Sequence, residues 1–263
     1  MTLMRRQSLV KFLLEPSEVE MGQITVNYKN RGRIFVNGEK RYADQCVDLL
    51  DRWILCSCVG GAILEEIFNG SKELDFNIVP SGFITGLEPE TRLKSPDDGY
   101  ALGYKSDVVT GTGVGTRATI TLTDTLSVSE AACSSILHVP CDAVVYMRTE
   151  FGLMHELVHA NRALRGKMRT VSQGDHMKNS EEAIAILITN MLMSEKGAAA
   201  LRKNYDTAER LDPPDPVLFK NQPGNEALIN QVATDHPTLK AKTNTDTAPV
   251  PFNPIYAVFH GKP

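Results

Sequence analysis

His155-Glu156-Leu157-Val158-His159 is the stretch that decides how this chain reads. On a helix, positions four apart share a face, so the His155 and His159 imidazoles can address one ion. Glu156 follows the first of them and can reach water held by that ion. Zinc lowers the pKa of such a water to about 7, and a nearby carboxylate can take its proton as it attacks a carbonyl. The spacing is that of zinc peptidases. Short patterns of this kind also arise on solvent-facing helices, but the surroundings here are apolar. Phe151, Leu153, Met154, Leu157 and Val158 flank the polar residues, Ala160, Arg162, Ala163 and Leu164 carry the helix on, and Gly166 supplies a stop. Two histidines and a glutamate on a largely buried helix are costly without a partner, which favours a metal site over a hydrogen-bonded core pair.

Two histidines leave a catalytic zinc one protein ligand short. No further histidine follows at metal-binding spacing, because the chain runs Ala160-Asn161-Arg162. The remaining source is a glutamate from a later helix. A polar loop from Lys167 to Asn179 is long enough to turn the chain back, and Ser180 opens a strongly helical stretch, Glu181 to Met193, that ends at Gly197. Glu181 and Glu182 stand 22 and 23 positions after His159, and either can serve. Ser180 as N-cap, with both carboxylates in the first turn, is also good helix-starting chemistry in its own right.

Upstream, residues 22 to 40 read as a hairpin: Gln23 to Tyr28 alternates, Lys29 to Gly32 turns, and Arg33 to Val36 returns. Residues 42 to 69 give one long helical pattern with Val47, Leu50, Ile54, Ile63 and Ile67 on its apolar stripe, divided or kinked at Gly60-Gly61. Leu74 to Val79 reads as a strand. Residues 81 to 117 read as an irregular excursion. Its Gly111-Thr112-Gly113-Val114-Gly115 precedes a strand rather than a helix, so it is a turn and not a phosphate cradle. Ala118 to Thr123 alternates as a strand, either an ordinary half-buried one or an exposed edge able to pair with an extended peptide. Residues 136 to 147 form a further apolar run, broken at Pro140.

The tail from 206 onward is proline-rich, with Pro213, Pro214, Pro216, Pro237 and Pro254 among others. It suggests extended, wrapping structure, with 241 to 251 as a linker or strap. The organisation expected is an N-terminal segment (1–40), a catalytic domain (41–205) and this wrapping tail (206–263). A chain of 263 residues with net charge −4 and a pI near 5.9 does not suggest a nucleic-acid or membrane-surface partner. No apolar run reaches the ~18 residues of a membrane span. The N-terminus has Arg5 and Arg6 before an apolar stretch that Lys11 interrupts, without a small-residue cleavage site, so a Sec signal peptide is not expected. The five cysteines, Cys46, Cys56, Cys58, Cys133 and Cys141, read as small buried hydrophobes. A thiol hydrolase using Cys133 or Cys141 with His138 matches no nucleophile motif.

The motif His155-Glu-Leu-Val-His159-Ala, followed by Asn179-Ser-Glu-Glu-Ala-Ile-Ala-Ile, resembles the gluzincin arrangement, and within it the NleD-type bacterial effector metallopeptidases. Clostridial neurotoxin light chains share a similar Glu-Glu pair in which the second glutamate is the ligand. The resemblance is sharpest over residues 151 to 193. It implies Glu182 as third zinc ligand and Glu181 as an outer carboxylate orienting a histidine. It further implies a single-domain endopeptidase that leaves its cell without a Sec signal and acts in the cytoplasm of a host or competitor cell. The best-known branch cuts host MAP kinases. A protein substrate in extended conformation is then the main partner, with a secretion chaperone or immunity protein as a second. Enzymes of this kind use a tyrosine, arginine or histidine against the oxyanion. Tyr256 is the foremost candidate, beside His260, His236, His176 and Arg162, and an aromatic strap packed on the core is the alternative for the Tyr256 segment.

The expectation is therefore an α+β, zincin-like fold: a small twisted mixed sheet with an edge strand, packed on a long helix and two ligand-bearing helices. His155, His159 and Glu182 would hold Zn2+, and Glu156 would be the base. The alternative is an inactive zinc-bound zincin serving as a protein-binding module.

Overall fold

The computed structural model describes residues 23–79, 90–94, 115–123, 149–168, 179–198, 200–203 and 210–261. The N-terminal stretch, His138, Cys133, Cys141, the apolar run at 136 to 147, and His176 lie outside them. The architecture is α+β, a mixed sheet among a larger number of helices. Strands β1 (Gln23–Asn27) and β2 (Ile34–Glu39) form the expected antiparallel hairpin, Gln23 opposite Glu39 and Asn27 opposite Phe35.

The long helix is two helices. α1 (Lys40–Cys56) and α2 (Cys58–Asn69) meet at Ser57, whose extended backbone (φ −138, ψ 123) ends one and starts the other. The break falls three residues before the glycine pair because Ser57 can cap both ends. Its N–H donates to the Trp53 carbonyl, and its hydroxyl accepts from Gly60 N–H while donating to Glu195. Gly60 has a packing duty instead: a Cβ there would stand 2.8 Å from the Trp53 side chain.

Strand β3 (Leu74–Val79) returns parallel to β2, the helix pair providing the crossover. β4 (Glu90–Lys94) and β5 (Arg117–Thr123) complete the order β1-β2-β3-β5-β4, with β5 parallel to β3 and antiparallel to β4. This corrects two expectations. The polar segment Glu90-Thr91-Arg92-Leu93-Lys94 is a strand inside the supposed excursion. The 118–123 strand is therefore paired on both sides and is not an edge; among the described strands the edges are β1 and β4.

The motif helix α3 (Thr149–Leu164) lies against β4, β5 and α2, and α4 (Ser180–Glu195) packs along it. α3 ends as expected at Gly166 (φ 65), where Lys167 N–H reaches back to the Arg162 carbonyl. α4 is buried on nearly every side, which its continuous Ala183-Ile184-Ala185-Ile186-Leu187-Ile188 run dictates. Its N-cap is Asn179, whose side chain accepts from Glu182 N–H; Ser180 is already helical.

The tail is helical rather than extended. α5 (Pro216–Lys220), α6 (Asn225–Asp235), α7 (Pro237–Thr243) and α8 (Pro254–His260) follow in turn. Three of the prolines that suggested extension open helices, where the ring's fixed φ fits and no N–H is missed. The supposed strap at 241 to 251 is pinned at both ends: Thr243 is buried in α7 and its carbonyl accepts from Asn253, and Val250 is buried next to Phe252, whose N–H donates to Ser194. One core cluster takes in Tyr28, Trp53, Leu157, Ile188, Leu239 and Phe252 alike. Among the described residues, no helix is long and apolar enough to cross a membrane.

One contact ties the sheet to the motif helix. Thr116 N–H donates to the Ala163 carbonyl, and Gly115 (φ +81) passes so close that a Cβ would sit 1.9 Å from the Leu164 carbonyl oxygen. Backbone strain and overpacking of this kind together cost about 3 kcal/mol. Gly115→Ala is expected to lower the melting temperature by about 6–12 °C in a domain of this size; an unchanged melting curve would show that the approach is looser than described.

Candidate metal centre

His155 and His159 sit on successive turns of α3, and both are buried because Leu153, Met154, Leu157 and Val158 hold this stretch inside the core. Their rings meet edge to face, centroids 4.7 Å apart and planes at 87°. His155 Nε2 and His159 Nε2 are 3.1 Å apart. Glu182 Oε2, brought in by the first turn of α4, lies 3.0 Å from the first and 3.4 Å from the second. Ligands about 2.0–2.1 Å from a tetrahedral ion stand about 3.3 Å from one another, so these three atoms already have the separations of a ligand set. Glu156, half-buried on the same helix, places its carboxylate with the two imidazoles inside a 4.8 Å group. This cluster could hold a metal ion.

The electrostatics fit a cation. Burial works against charge on His159, yet the hydrogen-bonding carboxylates of Glu181 and Glu182, with Glu156 adding its field, push it up to about 10. A buried ring is thus made to carry a proton by its carboxylate neighbours, the position a divalent ion would take. Burial and the adjacent His159 lower His155, although Glu182 pulls the other way. Glu182 is itself held well below the usual carboxylate range: the histidines on either side outweigh its burial. His155 Nδ1 is buried with no hydrogen-bond partner among the described residues, which leaves Nε2 as the ring atom committed to the cluster.

Glu181 stands behind His159, its Oε1 3.5 Å from Nδ1. It is gripped by Arg162, whose Nε lies 2.8 and 2.9 Å from its two oxygens. Arg162 is wholly buried and its donors are taken up: its Nη1 donates to Asp235 at 3.0 Å and toward His236 Nε2 at 3.4 Å, and its Nη2 to the Lys167 carbonyl. His236 is equally buried, its Nδ1 2.8 Å from Glu66 Oε2. Glu66 also accepts from Arg165, Asn161 and the Thr238 N–H. Arg162 and His236 are thus occupied behind the histidines.

Tyr256 donates to Asp246 and stacks on His260 at 4.2 Å, on α8, whose main neighbours are α5 and α6. Among the described residues no hydrogen bond joins it or His260 to the histidine pair. The cluster thus brings together His155, Glu156, His159, Glu181 and Glu182, and not Tyr256. Glu66 and Asp235 escaped the sequence reading, although a charge such as Glu66 inside the apolar stripe Ile63-Leu64-Ile67 was a visible sign of a buried polar contact. Compared with family models, curated proteins and solved structures, the chain matches none.

Proposed function

We propose that this chain is a zinc-dependent endopeptidase of the zincin class, with His155, His159 and Glu182 as ligands and Glu156 as general base. The convergence of two imidazole nitrogens and one carboxylate oxygen within 3.0–3.4 Å, with Glu156 next in sequence to the first ligand, carries this reading. Two histidines and a glutamate are a familiar protein share of a catalytic zinc site, which leaves a position open for water and substrate. When bound, zinc supplies a Lewis acid that polarises the scissile carbonyl and acidifies a water to about pH 7. Glu156 would accept a proton from the attacking water and would later deliver one to the leaving amine. Glu181 accepts from His159 Nδ1, fixing the ring's tautomer and strengthening Nε2 as a donor.

The likeness of the motif to NleD-type effector peptidases extends the proposal to an extended segment of a target-cell protein as substrate, host MAP kinases among the candidates. It extends it also to delivery into a host or competitor cell, with a secretion chaperone or immunity protein as partner.

Elemental analysis tests the reading first. The purified chain is expected to carry about one zinc, lost in His155→Ala and in Glu182→Ala, and to cleave an unstructured protein substrate only when zinc is present. Zinc without cleavage of any of a broad panel of unfolded substrates would favour the inactive, protein-binding alternative. No zinc after reconstitution would remove the proposal altogether.

A further inference from the structure

Behind the ligands lies a buried chain of charge that stability alone does not call for. From His159 it passes to Glu181, then Arg162, then Asp235 and His236, then Glu66 with Arg165. Arg162 and His236 are fully buried, and Asp235 and Glu66 nearly so. Burying such ion pairs generally does little for stability, since apolar residues of similar size serve as well or better. What the arrangement does achieve is geometric. The planar guanidinium of Arg162 meets Glu181 through Nε, Asp235 through Nη1 and the Lys167 carbonyl through Nη2, so its plane is fixed from three sides, of which Asp235 supplies the charged one opposite Glu181. Asp235 is in turn held by Gln231, one turn back on α6.

Resting on the metal reading above, we propose that Asp235 is a positioning residue of the metal centre: through Arg162 it holds Glu181 against His159, making the α6–α7 helix pair a working part of the site. Asp235 touches no ligand. It acts by keeping Arg162 from rotating away from Glu181, and His236 closes the other flank while anchored on Glu66. The C-terminal helices α6 and α7, outside the motif and its two helices, therefore set how well the metal is held.

The test is zinc affinity, measured by competition with a chromogenic chelator on the full chain, with circular dichroism and melting curves as folding checks. Glu181→Gln is expected to weaken zinc by about 10–100-fold and Asp235→Asn by about 3–10-fold. In the double variant, Asp235→Asn should add less than about twofold to Glu181→Gln, because the two act along one path. Gln231→Ala, at a half-buried position, repeats the effect at about twofold if Asp235→Asn does not fold. Lys242→Ala on α7, which removes a surface pair with Glu65 of α2, leaves affinity unchanged. Wild-type zinc binding with unaltered affinity in both Asp235→Asn and Gln231→Ala, or full additivity with Glu181→Gln, would overturn this proposal alone. A wild-type chain that takes no zinc would overturn the metal reading beneath it.

Discussion

Glu156→Gln is expected to reduce peptide hydrolysis by about 10²–10⁴-fold while the chain still binds one zinc. The substitution keeps size and hydrogen-bonding capacity and removes only the ability to take up a proton. Glu156 lies within the 4.8 Å group of the two histidines, but Glu182 Oε2 is the oxygen that meets both Nε2 atoms. Loss of the Glu156 charge should therefore leave metal content intact and stop the chemistry. Single-turnover cleavage of an unfolded protein substrate, with zinc measured on the same sample, separates the two. Cleavage that persists with zinc bound would mean another group is the base. Loss of both together would make Glu156 a ligand and return Glu182 to a capping role.

The second large effect is on pH. In the metal-free chain His159 is pushed up to about 10, against about 6.5 for an ordinary histidine. Zinc takes only the neutral ring, so between these values binding must expel a proton. Apparent affinity should rise about tenfold per pH unit from about pH 7 to 9, with one proton released per zinc. Competition titrations across that range, and calorimetry in buffers of different ionisation enthalpy, read both quantities. An affinity flat across the range would show His159 neutral without metal. The same shift has a stability consequence of definite sign. The folded value is raised, so this contribution is fully present below about pH 6.5 and fades as pH rises toward 10. The melting temperature of metal-free protein should fall through that window, and the zinc-loaded form should not follow it.

The parts legible in the sequence were those where one periodicity dominated. The hairpin, β3, β5, the motif helix and α4 all fell where alternation or helical spacing put them, because each presents a strong apolar face to the common core. The misses have physical reasons. Ser57 rather than Gly60 breaks the long helix because its N–H satisfies the end of one helix and its hydroxyl the start of the next, and Gly60 was needed against Trp53. β4 is a polar edge strand and carries almost no apolar signal. The tail prolines were read for what they forbid, although at the first helical position they forbid nothing. In the site, the spacing singled out His155, Glu156 and His159 and then the Glu181-Glu182 pair, and likeness to a known arrangement chose Glu182 between the two glutamates. Arg162, Asp235, His236 and Glu66 could not be grouped in advance, since only the folded chain brings positions 66, 162 and 235 together.

His236 meets Glu66 across 170 positions, and that distance has a temporal meaning. At about 5–20 residues per second, roughly 8–34 s separate the emergence of the two residues from a ribosome. During that interval α2, α3 and α4 can all be present, with every proposed ligand made, while the flank of Glu66 and Arg162 still faces water. The arrival of α6 and α7 is then the event that dries these charges and locks their directions. Assembly of the centre is in this sense ordered by synthesis: the pieces that carry the proposed ligands come first, and the piece proposed to set their alignment comes late.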